Sequence, residues 1–187
     1  MPGRMQNKVV LVVGGGAPPE GLNNGKAAAL LYAREGAAVV VADRDLAAAQ
    51  RTRSEIMEQG GDCLALTADV TDSASLERSV ATALGAHGRI DVLHNNVGIT
   101  ATGGPIETSE EEWNRIVAVN QTGVFLACKH VLPATVEQGS GAIVNISSAA
   151  ALRWIGFPYA AYTASKAAVL ALPQNIALQY AGRGIRA

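Results

Sequence analysis

A doubly wound parallel α/β sheet, with helices on both faces, is the fold class this sequence predicts, and three observations predict it. Short β-branched runs alternate with longer Ala-rich stretches across the 187 residues, the pattern of repeated strand–helix–strand units. The runs are almost continuously apolar, as strands are when both sheet faces are covered. The first run ends directly in Gly14, Gly15 and Gly16, a glycine-rich turn of the kind that delivers a helix N-terminus to an anion.

The elements follow in order. Strands are expected at residues 9–13, 38–42, 63–67, 92–94 and 142–146, and helices at 25–35, 45–59, 73–87, 109–137 and 159–181. Asp72 and Ser73 supply a cap for the third helix, and Ser109 with Glu112 three residues later forms a capping box for the fourth. Pro173 interrupts the last helix, where it removes a hydrogen bond and predicts a bend. The length suits one domain over residues 1–187, with no repeat, linker or low-complexity tract.

Composition narrows the function. Charged residues make up only 17% and the net charge is −1, so a nucleic-acid partner has no electrostatic footprint; there is also no zinc-finger spacing and no other metal site is expected. No segment reaches the length of a membrane span, and the N-terminus lacks the apolar stretch of a signal peptide. Cys63 and Cys128 fall in a strand and a helix without disulfide or redox spacing, which predicts reduced core thiols of a cytoplasmic protein.

The chemistry-bearing residues begin at the glycine turn. Gly14, Gly16, Asn24 and Gly25 are the candidate contacts to a pyrophosphate, although Pro19 stands where the simple dinucleotide motif needs its last glycine. Asn23 or Asn24 is expected to shape the turn and cap the helix. Asp43 closes the second strand, 18 residues after Gly25, where a carboxylate reaches the adenosine ribose and repels a 2′-phosphate. That selects NAD, with NADP less favoured, while the adjacent Arg44 pulls the other way. Tyr162 and Lys166 lie four positions apart in a helix-patterned segment, so both occupy one face. An ammonium beside a phenol favours phenolate, which suits a tyrosine to acid/base work near neutral pH.

Three further segments join the glycine turn and the Tyr162–Lys166 pair: Asn95-Asn96-Val97-Gly98, Asn120, and Asn145-Ile146-Ser147-Ser148. In this order and spacing the chain resembles the classical short-chain dehydrogenase/reductase family over essentially its whole length. The resemblance implies a Rossmann-like sheet of order 3-2-1-4-5 and a hydride transfer between a nicotinamide cofactor and a secondary alcohol or ketone. It implies that Ser148 hydrogen-bonds the reacting oxygen, supported by Ser147, and that Tyr162 moves its proton. Lys166 would hold the nicotinamide ribose and tune the tyrosine, and Asn120 would orient a water, while also satisfying a backbone group at a helix kink. Asp69 and Val70 would border the adenine, Asn95 would line the cofactor, and the protein would be a homo-oligomer.

The departures from that pattern are equally specific. Val13 replaces the usual threonine, the loop after Gly16 is longer, and Asn23 replaces a glycine. The family continues past Gly184-Ile185-Arg186 into a further strand, a covering helical segment and a final strand, which are absent here; the fifth strand is therefore expected at an exposed apolar edge. A catalytically poor dinucleotide-binding or subunit protein is the alternative function. A sugar-nucleotide epimerase or dehydratase, which shares the tyrosine–lysine pair, is disfavoured by the Asn95–Gly98 segment and the short chain. Trp154, Ile155, Phe157 and Tyr159 suggest an apolar wall beside the reacting centre.

Overall fold

The computed structural model describes residues 3–187. Six parallel strands, β1 (Val9–Val13), β2 (Ala38–Asp43), β3 (Asp62–Thr67), β4 (Val92–Asn95), β5 (Gly141–Asn145) and β6 (Ile185–Arg186), lie in the order β3-β2-β1-β4-β5-β6. Helices α1 (Asn24–Arg34), α2 (Leu46–Glu58), α3 (Ser73–His87), α4 (Glu110–Val117), α5 (Gly123–Gln138) and α6 (Ala160–Tyr180) connect them. The period-2 geometry of a strand divides the core in two. From β1, Val9, Leu11 and Val13 join Leu76, Val80, Cys128 and Val131 of α3 and α5. Val10 and Val12 face the other way, onto Ala29, Leu30, Ala49 and Ile56 of α1 and α2. Both faces of β1 are thus buried, which is why its sequence is apolar without alternation.

Two expectations change. The strand order extends by one, because Ile185 and Arg186 pair with Gly141 and Ala142; the start of β5 is therefore covered, and the bare edge expected along 142–146 is shortened. The single helix expected at 109–137 is two helices joined by a π turn at Ala118–Thr122. The caps are as expected: Ser109 Oγ accepts the Glu112 N–H at 3.1 Å, and an Asp72 carboxylate oxygen accepts the Ala74 N–H at 2.9 Å. α6 continues through Pro173 to Tyr180.

Parallel pairing throughout places every strand's C-terminal end at one edge of the sheet. The loops after β1, β2, β3, β4 and β5 gather there, and the candidate site lies among them.

Candidate active site

Gly14 ends β1 with φ +80°, and a Cβ on it would meet Val97 Cγ2 at 2.8 Å. Only glycine turns the chain this way without strain. Gly25 sits directly on the Gly14 carbonyl, with no room for a side chain between them, so the first turn of α1 rests against the end of β1. Asn23, not Asn24, is the cap: its Oδ1 accepts the Lys26 N–H at 2.9 Å while its Nδ2 donates to the Gly16 carbonyl at 2.8 Å. Asp43 stands opposite, one carboxylate oxygen accepting the Gly16 N–H at 3.0 Å and the other the Asp45 N–H at 3.1 Å.

These groups border a cleft of about 460 Å³. Gly14, Gly16, Asn23, Asp43 and Arg44 form one side, Ala68 to Thr71 a second, and Asn96 to Ile99 a third, with Arg115 and Val119 closing it. Asp69 accepts hydrogen bonds from both the hydroxyl and the N–H of Thr71, at 2.7 and 2.8 Å, which hold its carboxyl below the ordinary range. Among the expected cofactor contacts, Gly14, Gly16, Asp43, Asp69 and Val70 therefore share one cleft.

Of the other expected contacts, Asn24, Gly25, Asn95, Tyr162 and Lys166 are not among the residues that line it. Asn24 is the first residue of α1 and lies off the lining. Asn95 is 2% exposed and points into the core, where its Nδ2 donates to Asn145 Oδ1 at 2.8 Å and lies 3.6 Å from Cys128 Sγ. Strand alternation explains this: Leu93 and Asn95 share the face packed by α5, so Asn96 takes the cleft and donates to the Gly14 carbonyl at 3.1 Å. Asn23 and Asn96, which line the cleft, are thus immediate neighbours of Asn24 and Asn95.

Lys166 and Asn120 adjoin one wall of this cleft, through Val97, Gly98 and Ile99. Lys166 is 3% exposed, and its ammonium donates to the carbonyls of Val97, at 3.2 Å, and Ile146, at 2.8 Å, bridging the segments that leave β4 and β5. Burial pushes its pKa below the ordinary lysine value. Gly98, on the cleft lining, touches it; a Cβ there would lie 2.9 Å from Nζ. Tyr162 is half-buried one turn earlier, its ring edge-on to Tyr159 with centroids 5.8 Å apart. Ser147 Oγ donates to the Lys166 carbonyl at 2.7 Å, and Ser148 Oγ accepts the Ala150 N–H at 3.2 Å, capping a short 3₁₀ turn.

Asn120 is fully buried inside the π turn. Its Oδ1 accepts the Ile99 N–H at 2.8 Å, and its Nδ2 donates to the Ile99 carbonyl at 2.9 Å and to Ser165 Oγ at 3.1 Å. Asn120 thus fastens the loop after β4 to α6, the backbone-satisfying role expected at a kink. Ser165, buried between Asn120 and the Tyr162 carbonyl, escaped sequence reasoning because a small helix residue carries no periodic signal.

The family model for the short chain dehydrogenases matches residues 8–187. The chain belongs to that family. It is 42% identical over 189 residues to 2,5-dichloro-2,5-cyclohexadiene-1,4-diol dehydrogenase LinX of Sphingobium indicum, matching 100% of this chain and 72% of that protein. It is 37% identical over 188 residues to cyclohexanol dehydrogenase of an Acinetobacter strain, again covering 100% of this chain and 72% of the relative. A crystal structure assigned to the short-chain dehydrogenases/reductases, from Burkholderia xenovorans, superposes with a TM-score of 0.96 at 43% identity, covering 98% of this chain and 73% of that one. Short chain dehydrogenases are oxidoreductases that bind a nicotinamide dinucleotide. The cleft fits such a group: glycines 14 and 98 leave open the positions that side chains would fill, and the Asp43 carboxylate stands where β2 ends.

Proposed function

We propose that the chain is an NAD-dependent oxidoreductase that interconverts a secondary alcohol and a ketone, with Tyr162 as the acid/base. The observation that carries this reading is the burial of the Lys166 ammonium against two carbonyls beside the nucleotide cleft, one helical turn from Tyr162. A buried cation without a carboxylate costs stability, and its position beside a phenol gives it a chemical use.

When bound, the nicotinamide supplies the acceptor or donor of hydride. The protein's own residues do the rest. Gly14, Gly16 and Asn23 cradle the phosphates, Asp43 engages the adenosine ribose, and Asp69 and Val70 border the base. Lys166 has a third N–H for the nicotinamide ribose. Tyr162 takes the hydroxyl proton of the alcohol, or returns it to the ketone, and Ser148 hydrogen-bonds the same oxygen as charge develops on it. Asn120 has committed both amide hydrogens to Ile99 and Ser165, so a water in the proton relay would use an acceptor of this residue.

The substrate we assign is an uncharged ring alcohol. Leu152, Trp154, Ile155 and Phe157 expose apolar surface between Ser148 and Tyr162, with Arg153 the only charge among them, and two relatives take their names from six-membered ring alcohols. The reading includes a cytoplasmic protein, in keeping with two free, buried thiols whose pKa burial pushes up to about 12. It also includes a homo-oligomer, for which the apolar groove between α5 and α6, with Phe125 48% exposed, offers a face. Incubation with NAD and cyclohexanol, following NADH formation, tests the activity. Tight NADH binding without turnover on any secondary alcohol would favour the alternative, a dinucleotide-binding or subunit protein.

A further inference from the structure

The chain enters α6 at Tyr159, and the loop after β4 fixes that entry. Gly103, in that loop, forms an isolated parallel bridge with Tyr159. The Gly103 N–H donates to the Pro158 carbonyl at 2.7 Å, and the Gly103 carbonyl accepts the Ala160 N–H at 3.0 Å. Gly103 is buried, and a Cβ on it would lie 2.9 Å from Thr108 Oγ1. Thr108 in turn closes the loop, donating to the Gly104 carbonyl from its hydroxyl at 2.8 Å and from its N–H at 3.0 Å. Pro158 restricts the backbone on the other side of the bridge. The Tyr159 backbone is therefore held through both of its neighbours.

That backbone aims a ring at Tyr162. Tyr159 has the non-helical φ −128° and ψ 57° of the residue before α6, and its side chain caps no N–H. Its ring lies between two others: edge-on to Tyr162, with centroids 5.8 Å and planes 70° apart, and tilted against Phe157 at 5.7 Å and 31°. An edge-on pair at this distance is favourable because the positive rim of one ring meets the negative face of the other. A phenol that exchanges its proton with a substrate cannot be fixed by tying up its own hydroxyl. A ring contact fixes the two side-chain torsions and leaves the hydroxyl free.

We infer that Tyr159 is a positioning residue for Tyr162, its ring set by the Gly103 bridge and setting the phenol in turn. The inference rests on the reading of Tyr162 as the acid/base. It gives Tyr159 a part separate from the apolar wall. A wall residue changes how tightly an alcohol binds, whereas a positioning residue changes how often the bound alcohol meets a correctly placed phenol.

The experiment uses the full chain, unaltered and as Tyr159→Phe and Tyr159→Ala. NADH is titrated calorimetrically, and cyclohexanol oxidation is followed against alcohol concentration at saturating NAD. Phenylalanine keeps the ring and alanine removes it; position 159 is half-buried at the start of α6, so neither change empties the core. Tyr159→Ala should lower kcat about fivefold, the scale of one aromatic pair, while Tyr159→Phe keeps kcat and all three proteins bind NADH alike. A raised KM with unchanged kcat in Tyr159→Ala overturns the inference and leaves Tyr159 a wall residue. Equal loss of kcat in both variants overturns it too, because the hydroxyl and not the ring then matters. A fall in NADH affinity parallel to kcat overturns it in favour of general loosening of α6. Failure of the unaltered chain to oxidise any secondary alcohol overturns the oxidoreductase reading, and NMR then decides the ring contact by itself. The chain has four tyrosines, and of those left in Tyr159→Ala only Tyr162 should change its ring signals; unmoved Tyr162 signals overturn the positioning.

Discussion

Asp91 and Lys166 are buried charges at opposite ends of the same strands, and they are treated differently. At the N-terminal edge of the sheet, Asp91 accepts the Val9 N–H at 2.9 Å, two guanidinium bonds from Arg89 at 2.9 and 2.6 Å, and the Lys8 ammonium at 3.4 Å. Burial raises its pKa, but these partners outweigh burial and hold the carboxyl below its ordinary value. At the C-terminal edge, Lys166 has two carbonyls and no carboxylate among the described residues. The Asn145 Nδ2 group nearby is buried without a partner. Asp91 is thus a charge neutralised by charged partners, and Lys166 a charge held by peptide dipoles alone.

The sharpest test of this contrast is kinetic. Tyr162→Phe should lower turnover by about 10³-fold, within the range of a lost acid/base group, with NADH affinity nearly unchanged by calorimetry. Substantial alcohol oxidation by that variant would remove the C-terminal edge from the chemistry altogether.

Next in size is stability at the other edge. Asp91→Ala strands Arg89 and the Val9 N–H, and urea unfolding should report a loss of about 3 kcal/mol. Lys166→Met should instead leave stability level or raised, because a costly ammonium is replaced by a chain of similar shape, while NADH affinity and turnover both fall. A Lys166→Met protein as unstable as Asp91→Ala would break the comparison.

The two groups also differ in the pH at which they act. Asp91's folded pKa is depressed, so its contribution is present above about pH 4 and is lost as pH falls through the depressed value. Lys166's is depressed too, but for a cation this means a cost at neutral pH, relieved as pH rises from the depressed value toward the ordinary lysine value of about 10.4. Stability measured against pH should therefore lose its acid limb in Asp91→Ala and its alkaline rise in Lys166→Met.

The smallest expected effect concerns cofactor choice. Asp43 should favour NADH over NADPH about tenfold, the scale of one repelled phosphate against one ribose hydrogen bond, and Asp43→Asn should narrow that ratio. Equal affinities in the unaltered chain would shift attention to Arg44, which shares the cleft wall.

The strands, the glycine turn and the tyrosine–lysine face were legible because each rests on a local pattern: apolar runs, φ requirements, a four-residue spacing. Asp43 was legible from its distance to Gly25. The direction of the Asn95 side chain was not legible, because the segment after β4 reads as a unit; strand alternation sends Asn95 inward to Asn145 and leaves Asn96 on the cleft. The bridge between Gly103 and Tyr159 was invisible because its partners are backbone groups of two separate loops, and a backbone group has no sequence signature. The two-residue β6 was missed because its pairing with Gly141 and Ala142 depends on tertiary placement, not on a run of β-formers.

The π turn at Ala118–Thr122 carries one residue more per turn than an α-helix. That extra residue acts as a phase shifter between α4 and α5, offsetting the two helices by about 100° of rotation. Deleting one residue from the turn would let the rod run straight and swing Asn120 off Ile99, so that helix content would rise while the loop after β4 came loose from α6. In this chain the less regular helix is the better-registered one.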